Sequence, residues 1–169
     1  MTVLALLDRI RHDWEVAAPG LDPSPMLTFI TLARAQALLS ERVQETALEI
    51  GLTHATRDLL LTLYRSAPAQ GLSAGEIALL LAVSHASVTG HVDRLEGRGL
   101  ITRTLDTQDR RSWRIALTPQ GRELVEAHLP DHLNNERQLL SVLTPEEIRH
   151  LEALLRKLLA QFGAPDARS

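Results

Sequence analysis

The side chains best suited to chemistry in this chain crowd into residues 84–114, SHASVTGHVDRLEGRGLITRTLDTQDRRSWR. Ser84, His85, Ser87, Thr89 and His91 are short hydrogen bonders, and Arg94, Arg110 and Arg111 add cations. Hydroxyl, imidazole and guanidinium groups in such a set can meet base edges and neutralise phosphates. The stretch holds six arginines (94, 98, 103, 110, 111, 114) against four acids (Asp93, Glu96, Asp106, Asp109), a balance of +2, while the whole chain stands at −3 and the remainder therefore at −5. An acidic body does not exclude a polyanionic partner, because phosphates are neutralised by local cations and the field is screened over about 10 Å in physiological salt.

Other chemistries find little support. With no cysteine there is no disulfide, thiolate metal cage or thiol switch. No nucleophile elbow, phosphate-binding loop or convincing carboxylate pair is present, so no enzyme and no cofactor are expected. Gly97-x-Gly99 ends a helix rather than opening one after a strand, so it is no phosphate loop. His128-x-x-x-His132 has a spacing that could place two imidazoles on one metal, but Pro130 lies between them and no third ligand is evident. The pair is expected to be surface histidines, with no metal site.

Two elements must position the basic stretch. Val88, Val92 and Leu95 recur at i, i+4 and i+7, which predicts a helix with one apolar stripe and the polar residues on its other faces. Gly97 and Gly99 are expected to end it in the left-handed conformation. The period then changes to two: Ile101 to Leu105 and Trp113 to Leu117 predict a β-hairpin with a polar, basic tip. At that tip, Asp109 is expected to orient the guanidinium of Arg111 toward a narrow, electronegative minor groove. Upstream, Ser73-Ala-Gly-Glu76 is a capping box for a helix over 72–83, and Val83-Ser84 is the turn into the next helix. Helix, turn, helix and basic hairpin form the outline of a winged helix-turn-helix.

The rest of the chain predicts more helix. Leu6, Ile10 and Trp14 mark a short one, ended by Pro19-Gly20 and the prolines of 22–25. A long helix follows from Met26 to about Glu49, closed by Gly51, and another from Thr53 to before Pro68. Thr118-Pro119 opens a helix to about Val142, bent or broken near Pro130, and Thr144-Pro-Glu-Glu147 caps a last one whose stripe runs to Phe162. Hydrophobic residues at 44% and charged residues at 23% match a globular protein, while 3% aromatics argue against stacking platforms for single strands. The N-terminal apolar run is broken by Asp8 and Arg9, and no stretch reaches the roughly 18 apolar residues of a membrane span, so a cytoplasmic protein without membrane partners is expected.

At this point the sequence resembles the MarR family of bacterial transcriptional regulators. The resemblance is carried by Asp93-Arg-Leu-Glu-x-x-Gly-Leu-Ile-x-Arg103 after the helix-turn-helix, by Asp109-Arg-Arg111, and by Leu117-Thr-Pro-Gln-Gly121, and spans about residues 26–162. It implies a homodimer held by terminal helices, a recognition helix in the major groove, the arginine at 111 in the minor groove, and modulation by a small ligand. A narrower resemblance, to the urate-responsive branch with an extra N-terminal helix, rests on Leu7-Asp-Arg-x-x-x-x-Trp14, Asp22-Pro-Ser-Pro-Met26 and Arg57-Asp58-Leu-Leu. It implies an anionic purine site around Trp14, Arg57, Asp58 and the recognition helix. There His91 stands where the branch carries arginine, and imidazole lacks the planar bidentate fork.

The expected organisation is an extra helix at 1–18, dimerisation helices at 26–52 and 118–162, a winged helix-turn-helix lobe at 53–117, and a tail at 163–169. The surplus apolar surface of the terminal helices reads as a dimer interface. The expected function is a homodimeric regulator of double-stranded DNA, a repressor released by a small anionic aromatic or purine-like ligand. The alternatives are a winged-helix protein-interaction module and a ligand-independent regulator.

Overall fold

The computed structural model describes residues 2–107, 109 and 111–162, so Arg110 and the tail at 163–169 lie outside the described residues. The chain divides into two units, residues 1–45 and 46–169. In the first, α1 (Val3–Ala17) starts where the Thr2 hydroxyl accepts from the Ala5 N–H, and α2 (Ser24–Glu49) starts two residues before Met26. Asp22 sets that start: its carboxylate accepts from the Ser24 hydroxyl and the Ser24 N–H at 2.7 and 3.0 Å, which hold its pKa below the usual carboxylate range. One of the free N–H groups of the first turn finds an acceptor in this way. Gly51, at φ +68°, follows the end of α2.

The second unit carries α3 (His54–Ser66), β1 (Leu72–Ser73), α4 (Ala74–Leu81), α5 (His85–Glu96), β2 (Ile101–Leu105), β3 (Trp113–Leu117), α6 (Pro119–Leu139) and α7 (Pro145–Phe162). Reciprocal capping boxes open α3 at Thr53 with Thr56 and α4 at Ser73 with Glu76. Thr144 and Glu147 make the same reciprocal pair ahead of α7. The core is aliphatic, as the scarcity of aromatics requires: Leu59, Leu60 and Leu63 of α3 meet Ile77, Val88, Val92, Leu95, Ile101, Ile115 and Val125. The result is a mainly α chain with a small antiparallel sheet in a winged helix-turn-helix, and among the described residues no helix is long and apolar enough to cross a membrane.

Four local expectations change. Residues 72–73 are not helical: they form β1, which pairs with β3 (Leu72 opposite Ile115), so the sheet has the order β1-β3-β2 and the hairpin gains a third strand. The turn between α4 and α5 rests on Ala82, a non-glycine residue at φ +52°, whose N–H closes back on α4. Gly97 keeps right-handed helical angles, and it is Gly99, at φ +70°, that turns the chain into β2. Finally, α6 runs unbroken through Pro130 and stops at Leu139. Proline removes one helical hydrogen bond, and Pro130 lies on the exposed side, where water can take its place.

Candidate nucleic-acid interface

Helix α5 is seated by three residues and presents the others outward. Val88, Val92 and Leu95 are buried, and Ser84, His85, Ser87, Thr89 and Arg94 are left in solvent. Ser84 is the N-cap: its hydroxyl accepts from the Ser87 N–H at 3.3 Å and lies 2.8 Å from the Ser87 hydroxyl. Unlike its neighbours, His91 is half buried, and its Nδ1 is enclosed without a partner among the described residues.

The six arginines of residues 84–114 divide by what they touch. Arg103 pairs with Asp93 and Glu96 of α5, fastening β2 to the recognition helix. Arg114 pairs with Glu76 of α4 at 2.9 Å and with Asp106, whose hydrogen bond raises the arginine pKa further. Glu76 itself is held below the usual carboxylate range, first by the Ser73 N–H and then by the Ser73 hydroxyl. Arg98 donates to the carbonyls of Gly51 and Ile50 at 2.6 and 3.2 Å, just past the end of α2. Arg94 and Arg111 are exposed and have no ion pair among the described residues, which leaves them available to phosphate. Arg110 is not described.

The wing loop is tied by Asp106, a residue that the sequence reading counted only as a charge. It is nearly buried, takes Arg114 on one oxygen and the Asp109 N–H on the other at 3.3 Å, while its own N–H donates to the Ser112 carbonyl. An aspartate bonding back to the chain a few residues on is a turn signal, and Asp106-Thr-Gln-Asp109 carried it. Asp109 does not orient the Arg111 guanidinium as expected: its carboxylate accepts from the Arg111 backbone N–H at 3.0 Å. A two-residue separation is short enough to close a turn through the backbone, so the wing arginine is positioned by its main chain.

Helix and wing frame one cleft of about 320 Å³. His85 and Thr89 line it from α5, Arg111, Ser112 and Trp113 from the wing, and Ser73 from the start of α4. His85 and Thr89 of the helix and Arg111 of the wing therefore face the same side of this unit.

A second cleft, of about 510 Å³, lies among α3, the end of α4 and α6, with His54, Arg57, Asp58, Arg65, His132 and Glu136 among its walls. Arg57 is only 2% exposed; its guanidinium lies 2.7 Å from His54 Nδ1 and donates to Asp58 at 3.2 Å. The structure thus brings Arg57 and Asp58 together as a site and adds His54 and His132, but His91 is not among its walls. Trp14, on α1 in the other unit, is partly exposed.

His128 and His132 are not surface histidines. They are 8% and 6% exposed, and their rings stack with centroids 6.1 Å apart. Their i, i+4 spacing points both inward from α6 near Arg57, and burial first, then the charge of Arg57, lowers both pKa values. Among the described residues no group of three or more histidine and acidic side chains is placed to hold a metal.

Comparison with known proteins gives concordant findings. The family model described as MarR family matches residues 50–112. The transcriptional regulator PecS of Dickeya dadantii is 34% identical over 149 residues, covering 88% of this chain and 90% of its own. Among solved structures, Sco3205 of Streptomyces coelicolor in complex with DNA superposes with a TM-score of 0.80 at 25% identity, over 88% of this chain and 93% of that one. BpsR of Bordetella bronchiseptica, whose DNA binding is regulated by 6-hydroxynicotinic acid, gives a TM-score of 0.69 at 30% identity, over 76% of this chain and 89% of its own.

Proposed function

This chain belongs to the MarR family of DNA-binding transcriptional regulators, and we propose from that premise that it works as a homodimeric repressor. Each copy sets α5 into a major groove through Ser84, His85, Ser87, Thr89 and Arg94, with His91 at the edge of that set. Each wing reaches the adjacent minor groove with Arg111 and its neighbour Arg110, on a loop shaped by Asp109. The observation that carries the reading is the shared cleft, in which Thr89 and Arg111 face one side together.

The segments at 26–52 and 118–162 serve as dimerisation helices, and 53–117 as the DNA-binding lobe. In support, α2 leaves Phe29, Leu32 and Leu39 exposed, and α7 leaves Leu151, Leu154 and Leu158 exposed, a surplus that a second copy would cover. The helix at 1–18 corresponds to the additional N-terminal helix of the urate-responsive branch.

A small anionic aromatic or purine-like ligand, held by Arg57 and Asp58, releases the DNA. The regulation of BpsR by an aromatic acid and the buried guanidinium of Arg57 support this part. A ligand that binds the DNA-incompetent form better shifts the population, and a coupling of about 1 to 3 kcal/mol suffices. One observation favours a ligand-independent regulator instead: Asp58 and His54 already engage the Arg57 guanidinium.

A footprint on the DNA upstream of the chain's own gene tests the reading. Two protected half-sites centred roughly 34 to 36 Å apart, or one helical turn more, are expected. Repeating it with urate and 6-hydroxynicotinate tests release. Protection that neither compound lifts would favour the ligand-independent form, and no protection at all would reject sequence-specific binding there.

A further inference from the structure

One stripe, apolar except for Arg103, leaves the core and runs out along the wing. Side chains alternate across a sheet, so Ile101, Arg103 and Leu105 of β2 share a face with Trp113, Ile115 and Leu117 of β3, Leu105 standing directly opposite Trp113. The stripe begins buried at Ile101 and Ile115 and ends exposed, with Leu105 at 54% and Trp113 at 49%. A large apolar cross-strand pair projecting into solvent beside a hairpin tip made of polar and charged residues is costly unless something covers it. The Trp113 indole N–H, moreover, has no hydrogen-bond partner among the described residues, although tryptophan that is covered usually finds one.

The surroundings say what the cover is. Trp113 lines the cleft between recognition helix and wing, together with His85, Thr89, Arg111 and Ser112. With α5 in a major groove and the wing in the neighbouring minor groove, the strand that separates the grooves must pass over that cleft. Deoxyribose offers an apolar face and phosphate an acceptor, which matches an indole ring with a free N–H beside an unpaired arginine.

We propose that Trp113 is a DNA-contacting residue whose ring packs on a deoxyribose of the strand between the grooves and whose Nε1–H donates to its phosphate, with Leu105 backing the ring. The inference rests on the DNA-binding reading above and adds to it a neutral contact that fixes the wing against the backbone. A neutral donor displaces no counterion, so its signature differs from that of an arginine.

The test is a salt titration of affinity for the footprinted duplex with the full chain, the wild type, Arg111→Ala, Trp113→Ala and Trp113→Phe. Trp113→Ala should bind roughly tenfold more weakly, the scale of a hydrogen bond to a charged group, with an unchanged slope of log affinity against log salt. Trp113→Phe, which keeps a ring without the N–H, should fall between. The chain has two tryptophans, so an emission change on adding duplex should occur in the wild type and vanish in Trp113→Phe, where only Trp14 remains. Wild-type affinity in Trp113→Ala, with Arg111→Ala still lowering the slope, would overturn this inference alone. An emission change on concentrating the protein without DNA, lost in Trp113→Phe, would seat a second copy on the face and overturn it too. If the wild type bound neither the upstream fragment nor nonspecific duplex at low salt, the DNA-binding reading would fall and take this contact with it.

Discussion

At the scale of single residues, what separates a structural arginine from a functional one is its partner, not its type. Arg103 and Arg114 are consumed by carboxylates on neighbouring elements, whereas Arg111 stands clear of any ion pair among the described residues. Arg111→Ala should therefore weaken DNA binding and lower the salt slope by about one unit, as removal of one phosphate-neutralising cation does; a titration showing wild-type affinity and slope would remove Arg111 from the interface. Gly121 matters for a different reason. At the first turn of α6 an added Cβ would run into the backbone carbonyl of Leu100, and backbone cannot swing aside like a side-chain tip. Gly121→Ala should cost about 1 to 3 kcal/mol of stability, the range for overpacking, seen as a lower urea midpoint with DNA contacts untouched. This glycine lies within Leu117-Thr-Pro-Gln-Gly121, and its tight neighbour, the Leu100 carbonyl, comes from outside that motif.

At the scale of elements, local signals and distant partners contributed unequally. Capping boxes, the proline after Thr118 and the switch from helical to alternating spacing are all written in neighbouring residues, and the helices and hairpin appear where those signals stand. The two-residue β1 has no such signal, because it exists only through pairing with β3, some forty residues away in sequence. Pro130 shows the opposite failure: a strong local breaker was overruled, since the turns on either side of it carry Val125, His128 and His132 into the interior and hold the helix together. Pro130→Ala restores one N–H donor on an exposed face and should raise stability, by at most the roughly 3 kcal/mol that proline costs in a helix interior. Thermal unfolding would decide; a lower midpoint would mean that the proline ring itself stabilises this turn of α6.

For the whole molecule, the buried histidine pair links folding to pH. Both imidazoles have folded pKa values below the ordinary 6.5, so the unfolded chain binds more protons in the window just under that value. Stability is then complete above pH 6.5 and declines as the pH falls from there toward the folded pKa values. Urea unfolding at pH 8 and pH 5 should show the acidic sample less stable, and His128→Gln with His132→Gln should flatten the difference. An equal drop in that variant would assign the effect to other groups. The sequence by itself determined the class of the molecule: period, caps and the order of helix, turn, helix and basic hairpin depend on residues close in the chain, and they sufficed for a winged helix with a basic hairpin. Only the tertiary structure decided which charges are spent and which are offered. It buried Arg57 and the histidine pair, tied the wing through Asp106, and left Arg94, Arg111 and Trp113 outward, because burial and pairing are set by what lies across the fold and not by what lies next along the chain.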